Sequence, residues 1–187
     1  AYGAGALAAG AKVVPVAATA ETGFLPDFAA LPPALLDRVT LCFLSSPSNP
    51  QGAVADEGYL RRLLALAERH DFRVLADECY SEIYPDIPPP GALGVAQALG
   101  ADPERVLVFN SLSKRSSAPG LRCGFVAGGP RSIAAMRQMR AYGGAPVPLP
   151  IQHAATALWA DEAHVVESRA LYRAKFGIAD DLLGNMP

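Results

Sequence analysis

Residues 72–80 read FRVLADECY, and the passage from a mainly apolar run into acid, thiol and phenol decides how the chain folds. The run 72–76 has the length and composition of a strand buried in a sheet, and Asp77 stands where that strand leaves the core. The same pattern recurs on either side. Residues 39–45, VTLCFLS, are a near-continuous apolar run followed by the polar loop SPSNPQG. Residues 106–109, VLVF, run into NSLSK, and residues 123–127 form a further apolar run. Residues 12–16 read as one more strand, after a small-residue stretch at 5–11 that reads as the end of a helix. Between the strands the period changes. Asp56 can cap a helix reaching about His70, with Leu60, Leu63, Leu64 and Ala67 on one face. Helices are also predicted over 131–142, 151–159 and from 162 to about 183. Strands alternating with helices predict an α/β fold, a mostly parallel sheet flanked by helices on both faces. In such sheets ligands collect beyond the carboxyl ends of the strands. Three of the strand ends here are followed by acid, amide, hydroxyl and amine groups.

Composition narrows the function classes. Of the 187 residues, 51% are hydrophobic and 18% charged, which suits a well-buried sheet. The formal net charge of −2 argues against nucleic acid or an anionic membrane as partner, since both require a basic face. No window approaches the ~18 apolar residues of a membrane helix. The three cysteines, Cys42, Cys79 and Cys123, show neither CxxC nor zinc spacing, so they read as buried free thiols of a cytoplasmic protein, with no metal site. The Pro-rich stretches 85–90 and 146–150 read as loops.

Three segments carry candidate chemistry. Lys114 follows a buried strand within Ser111-Leu112-Ser113-Lys114, where partial loss of hydration favours the neutral amine that imine chemistry needs. Ser111, Ser113 and Arg122 on the same turn suit a phosphate, because arginine offers a planar fork of donors. Asp77 at the mouth of the core requires a cationic or hydrogen-bonding partner, and a protonated pyridine nitrogen is one such partner. Tyr80, three residues on, is close enough to reach the same ring. Asn49-Pro50-Gln51-Gly52 is strong turn chemistry, in which Asn49 can donate to an anionic ring oxygen. Taken singly, each segment has a plainer reading: a solvated basic loop, a capping aspartate, a turn.

Taken together and in this order, they resemble the class I/II aminotransferases, fold type I pyridoxal-phosphate enzymes. That pattern has an Asn-Pro-x-Gly loop, a strand ending in Asp-x-x-Tyr, then Ser-x-x-Lys with an arginine eight residues after the lysine. The resemblance implies pyridoxal phosphate as cofactor, with Lys114 holding it and moving the substrate α-proton. Asp77 would pair with the pyridine nitrogen, Asn49 and Tyr80 would bond the phenolic oxygen, and Ser111, Ser113 and Arg122 would bind the phosphate. Residues 111–128, SLSKRSSAPGLRCGFVAG, and the later segment 152–176 are similar to the succinyldiaminopimelate aminotransferases of lysine biosynthesis. The implied partners are small-molecule substrates, an amino acid and a 2-oxo acid, and the implied assembly of the full-length protein is a homodimer.

A complete enzyme of this class is about twice as long. The chain therefore reads as a fragment: residues 1–160 as the cofactor-binding large domain lacking its N-terminal part, and 161–187 as a helix leading toward a small C-terminal domain. Such a fragment alone is expected to be inactive. Two other readings share the cofactor residues: a lyase or synthase on the same scaffold, and a non-catalytic aminotransferase-like sensor domain of a transcription regulator. His70 reads as a solvated cation at a helix end. His153 and His164 lie in helices without metal-spaced partners, and Trp159 reads as packing.

Overall fold

Four of the five apolar runs predicted as strands pair in one sheet. The computed structural model describes residues 2–184, so the two ends of the expected domain division, at 1 and 187, lie outside the described residues. Strands β1 (Leu41–Ser45), β2 (Arg73–Asp77) and β3 (Val106–Ser111) are parallel, and β4 (Gly124–Gly128) returns antiparallel to β3, giving the order β1-β2-β3-β4. The register sets Ser45 beside Asp77 and Asp77 beside Phe109, so the carboxyl ends of the parallel strands form one rim.

The helices follow their caps. Helix α1 covers Tyr2–Ala8, earlier than the stretch 5–11, and α2 is a single turn, Pro33–Leu36. Helix α3 spans Glu57–Arg69, with Asp56 accepting the Tyr59 N–H at 2.6 Å. Its buried face, Leu60, Leu63, Leu64 and Ala67, is the predicted one. Helix α4 (Ala92–Ala98) packs beside α3, and both close over Cys42, Leu44, Val74, Ala76, Val106 and Val108. Leu44, Phe72, Val74 and Val106 are almost fully buried there. Each contributes about 1.5–3 kcal/mol by leaving water. Beyond β3 come the one-turn helix α5 (Leu112–Arg115), then α6 (Pro130–Gly143), α7 (Leu149–Ala160) and α8 (Ala163–Leu183).

Five expectations need correction. Residues 12–16 form no strand. Pro15 has no N–H to give to a ladder, and the segment shares a groove of about 660 Å³ with Leu41, Cys42 and Phe43 instead of pairing with β1. Burial on both sheet faces also fails for β1 and β2, where it alternates: Cys42 and Leu44 are buried, while Phe43 is half-buried beneath the Tyr2 ring, centroids 5.1 Å apart. His70 is not solvated; its side chain is 9% exposed, with Nδ1 2.6 Å from Asp37. All three thiols are free, yet only Cys42 is buried, Cys79 and Cys123 being half-buried. The stretch 85–90 is a loop as expected, whereas Leu149 and Pro150 already belong to α7.

Helix α6 starts at Gly129, which has no side chain to cap it. Glu104, its side chain 6% exposed, reaches across from the turn before β3 and accepts the N–H groups of Arg131 (2.8 Å) and Ser132 (2.9 Å) and the Ser132 hydroxyl (2.7 Å). The Ser132 hydroxyl first, then these backbone donors and the Arg131 charge, hold the Glu104 carboxyl below its usual range. A depressed folded value means this stabilisation is complete above the ordinary glutamate value of about 4.3 and is lost as pH falls through the lower folded one. Glu104→Gln is expected to lower Tm at pH 7 by about 2–4 °C, the scale of one lost helix cap, with the difference shrinking in acid. Thermal melts of both proteins between neutral and acid pH check this.

Candidate active site

The rim of the sheet gathers most of the predicted residues. Asp77 is the last residue of β2, Ser111 the last of β3, and Lys114 lies in the turn of α5 that follows at once. Asn49 sits in the loop after β1, whose Ser46–Pro47 and Asn49–Pro50 peptide bonds are cis and whose Gly52 has φ +72°, a conformation open to glycine. That loop brings the Asn49 Nδ2 to 2.9 Å from the Tyr80 hydroxyl, to which it donates. Lys114 Nζ lies over the Tyr80 ring, 5.4 Å from its centroid. Amide, phenol and amine from three separate strand ends thus meet at one place.

Hydroxyls and guanidinium form the other side. Ser111 Oγ accepts the Ser113 N–H at 3.1 Å, which caps α5 and leaves the Ser111 hydroxyl proton free to donate. Arg122 has left-handed backbone, φ 49°, rare for a residue with a side chain, and one guanidinium N–H donates to the Pro119 carbonyl at 2.9 Å. Its remaining donors are available to a ligand. The Ser113 side chain is placed on α5 beside these groups without a contact that assigns it.

The pairing of β4 with the end of β3 depends on a glycine. A Cβ on Gly124 would stand 2.3 Å from the Asn110 carbonyl oxygen and 3.1 Å from the Ser111 Cβ, so glycine is needed opposite Ser111.

Two groups to which the sequence assigned no part in the site belong to it. Tyr2 donates its hydroxyl to Asp77 Oδ2 while the Cys79 N–H donates to Oδ1 at 3.1 Å, so each carboxylate oxygen is held. Burial first, then the hydrogen bond and charge of Asp77, raise the Tyr2 phenol well above its ordinary value, which keeps it a donor at neutral pH. No sequence signal marked Tyr2, because 75 residues separate it from Asp77. Cys79 lies among Asp77, Ser111 and Lys114. Burial, reinforced by Asp77 and opposed by Ser111 and Lys114, pushes its thiol up to about 11, so it is no thiolate competitor to the lysine.

The donor set fits pyridoxal phosphate: a carboxylate for a pyridinium, paired amide and phenol for a phenolic oxygen, hydroxyls and a guanidinium for a phosphate, and an amine for an aldehyde. Among the described residues no cluster of His, Cys, Asp and Glu could hold a metal, and no helix is long and apolar enough to cross a membrane.

Known proteins share both sequence and fold with this chain. The LL-diaminopimelate aminotransferase of Desulforudis audaxviator (strain MP104C) is 33% identical over 187 residues, 99% of this chain and 47% of that protein. The crystal structure of aminotransferase AspB from Helicobacter pylori 26695 superposes with a TM-score of 0.91 at 38% identity, covering 100% of this chain and 49% of that one. A protein described as a probable N-succinyldiaminopimelate aminotransferase from Thermus thermophilus gives a TM-score of 0.85 at 27% identity over 98% of this chain and 49% of that one. The chain spans about half the length of the relatives it matches. The family model for aminotransferase class I and II matches residues 1–181, and the chain belongs to that pyridoxal-phosphate-dependent family.

Proposed function

We propose that the protein transfers an amino group between an amino acid and a 2-oxo acid. The observation carrying this reading is the meeting of Lys114, Tyr80 and Asn49 at one rim, beside an Asp77 whose two oxygens are both held. Pyridoxal phosphate, when bound, supplies an electron sink for bond breaking at the substrate α-carbon. Lys114 Nζ is the amine that holds it and the group that carries a proton at that carbon. Asp77 would set its charge against the ring nitrogen. Asn49 spends an amide proton on the Tyr80 oxygen, which leaves the Tyr80 O–H to point at the ring's phenolic oxygen. Ser111, Ser113 and Arg122 take the phosphate.

For the substrates we favour glutamate as amino donor and, as acceptor, the 2-oxo acid that becomes a diaminopimelate-type amino acid in lysine biosynthesis, the reaction being reversible. The names of the Desulforudis and Thermus proteins support this, as does the likeness of 111–128 and 152–176 to that branch. The division at residue 160 into a cofactor domain and a helix leading onward, a homodimeric assembly of the whole protein and a cytoplasmic location, suited by three free thiols, belong to the same reading.

The test uses full-length protein reconstituted with pyridoxal phosphate and followed by absorbance. Glutamate is expected to convert the cofactor to its pyridoxamine form, and a 2-oxo acid to reverse this. N-succinyl-diaminopimelate and LL-diaminopimelate, offered separately, decide between the two substrates. If no amino acid yields the pyridoxamine form, the transaminase reading fails and the lyase alternative takes its place.

A further inference from the structure

The two residues that follow Lys114 are both held from outside the site. Arg115 has a side chain only 4% exposed, a rare position for a guanidinium. It donates to the Leu158 carbonyl at 2.8 Å, pairs with Glu162, and lies over the Trp159 ring with 4.9 Å from Cζ to the centroid. Ser116 Oγ is 2.9 Å from His164 Nε2, and His164 Nδ1 is 2.7 Å from Asp161 Oδ2. With a carboxylate facing Nδ1, the neutral imidazole keeps its proton there and Nε2 accepts from the serine. Asp161 is itself fixed by the Ala163 N–H at 2.9 Å. All of these partners lie in residues 158–164, the elbow between α7 and α8. Trp159 also packs edge-on against Phe125 of β4 at 4.9 Å, so the elbow is seated on the sheet.

A single helical turn has little stability of its own, since nucleation fixes several residues for one hydrogen bond. Helix α5 is such a turn. A buried guanidinium left without its partners is strongly unfavourable, so Arg115 keeps the turn docked on the elbow. We propose that Arg115 and the Ser116–His164–Asp161 chain are positioning groups that fix the Lys114 amine over the Tyr80 ring by clamping its turn to the α7–α8 elbow. This rests on the reading of Lys114 as the cofactor-holding amine.

Two measurements on full-length protein test it. The first is the rate at which added pyridoxal phosphate becomes trapped on Lys114 by borohydride, with the modified peptide identified by mass. Its amine condenses with the cofactor aldehyde, releasing water, and borohydride delivers hydride to the resulting carbon–nitrogen double bond. The second is hydrogen exchange of the cofactor-free protein at the Ser116 and Ala118 amides, both bonded to the Leu112 carbonyl. In His164→Ala and Arg115→Lys, trapping is expected to slow by on the order of 10²-fold, the effect of ~1 Å misplacement of a reacting group. Exchange at both amides is expected to rise, with Tm close to wild type in His164→Ala. His164→Gln, which can still reach Ser116, should recover part of the trapping rate. Folded His164→Ala that traps and exchanges at the wild-type rates overturns the proposal, and this holds whether or not Arg115→Lys folds. A wild-type protein that traps nothing at Lys114 removes the functional reading and the clamp together.

Discussion

Full-length protein carrying Lys114→Ala gives no borohydride-stable pyridoxyl peptide spanning residue 114, and its transamination falls by at least about 10²–10⁴-fold, the range for removing a positioned proton carrier. These 187 residues contain two other lysines. Lys12 lines the groove beside β1, and Lys175 lies over the Tyr172 ring on α8, 5.2 Å from its centroid. Neither stands at the rim where β2 and β3 end. Peptide mapping after reduction therefore separates the assigned amine from both, and a reduced adduct that persists in the variant assigns the cofactor to a different lysine. Overall fold should be unaffected, because Lys114 is half-buried at the rim and lies outside the hydrophobic core, and a circular dichroism spectrum matching wild type would establish that.

Asp77→Asn has the second largest expected effect and a different signature. Transamination should fall by about 10²–10³-fold, the scale of losing one preorganised electrostatic partner, while the Lys114 adduct still forms. The substitution keeps shape and removes charge. Its consequences follow from the two donors that hold the carboxylate. The Cys79 N–H at 3.1 Å can only donate, so the new amide must turn its oxygen that way. The amide nitrogen then faces Tyr2, whose hydroxyl can rotate to accept. The substituted side chain would thus sit where the carboxylate sits, with the charge opposite the ring nitrogen gone. Single-turnover absorbance with glutamate checks this: formation of the pyridoxamine form slows while the initial cofactor spectrum remains. Equal activity in the variant would remove Asp77 from its assigned role.

Much of the fold was legible because burial and chain period coincide in its strongest elements. The run VTLCFLS, the run ending at Asp77 and the Leu60–Leu63–Leu64–Ala67 stripe each state their own structure within a few residues. Helix α4 was not legible, and neither was the cap of α6, for a shared reason. Both begin at glycines, and their first N–H groups are taken by carboxylates from elsewhere: Glu78 accepts the Ala92 N–H at 2.7 Å, and Glu104 serves Arg131 and Ser132. A cap supplied from a distance leaves no mark beside the helix it caps. Tyr2 and His164 escaped in the same way, since each acts on a residue 75 or 48 positions off. Asn49, Asp77 and Lys114 were visible because strand ends impose short, regular spacing on the groups they present.

The antiparallel return of β4 has a bearing on which parts of the chain tolerate insertion. Ser111 and Gly124 face one another in the ladder, so the excursion between them, which carries both Lys114 and Arg122, is pinned at each end. Adding or removing one residue there would either shift β4 by a register step, turning every side chain of the strand to the opposite face, or change the separation of amine and guanidinium. The Pro-rich loop 85–90, held to α8 by the Arg173 contact with the Pro85 carbonyl at 2.7 Å, is under no such constraint at its exposed tip. Length variation among natural versions of this chain should therefore collect at 86–89 and be absent from 112–123.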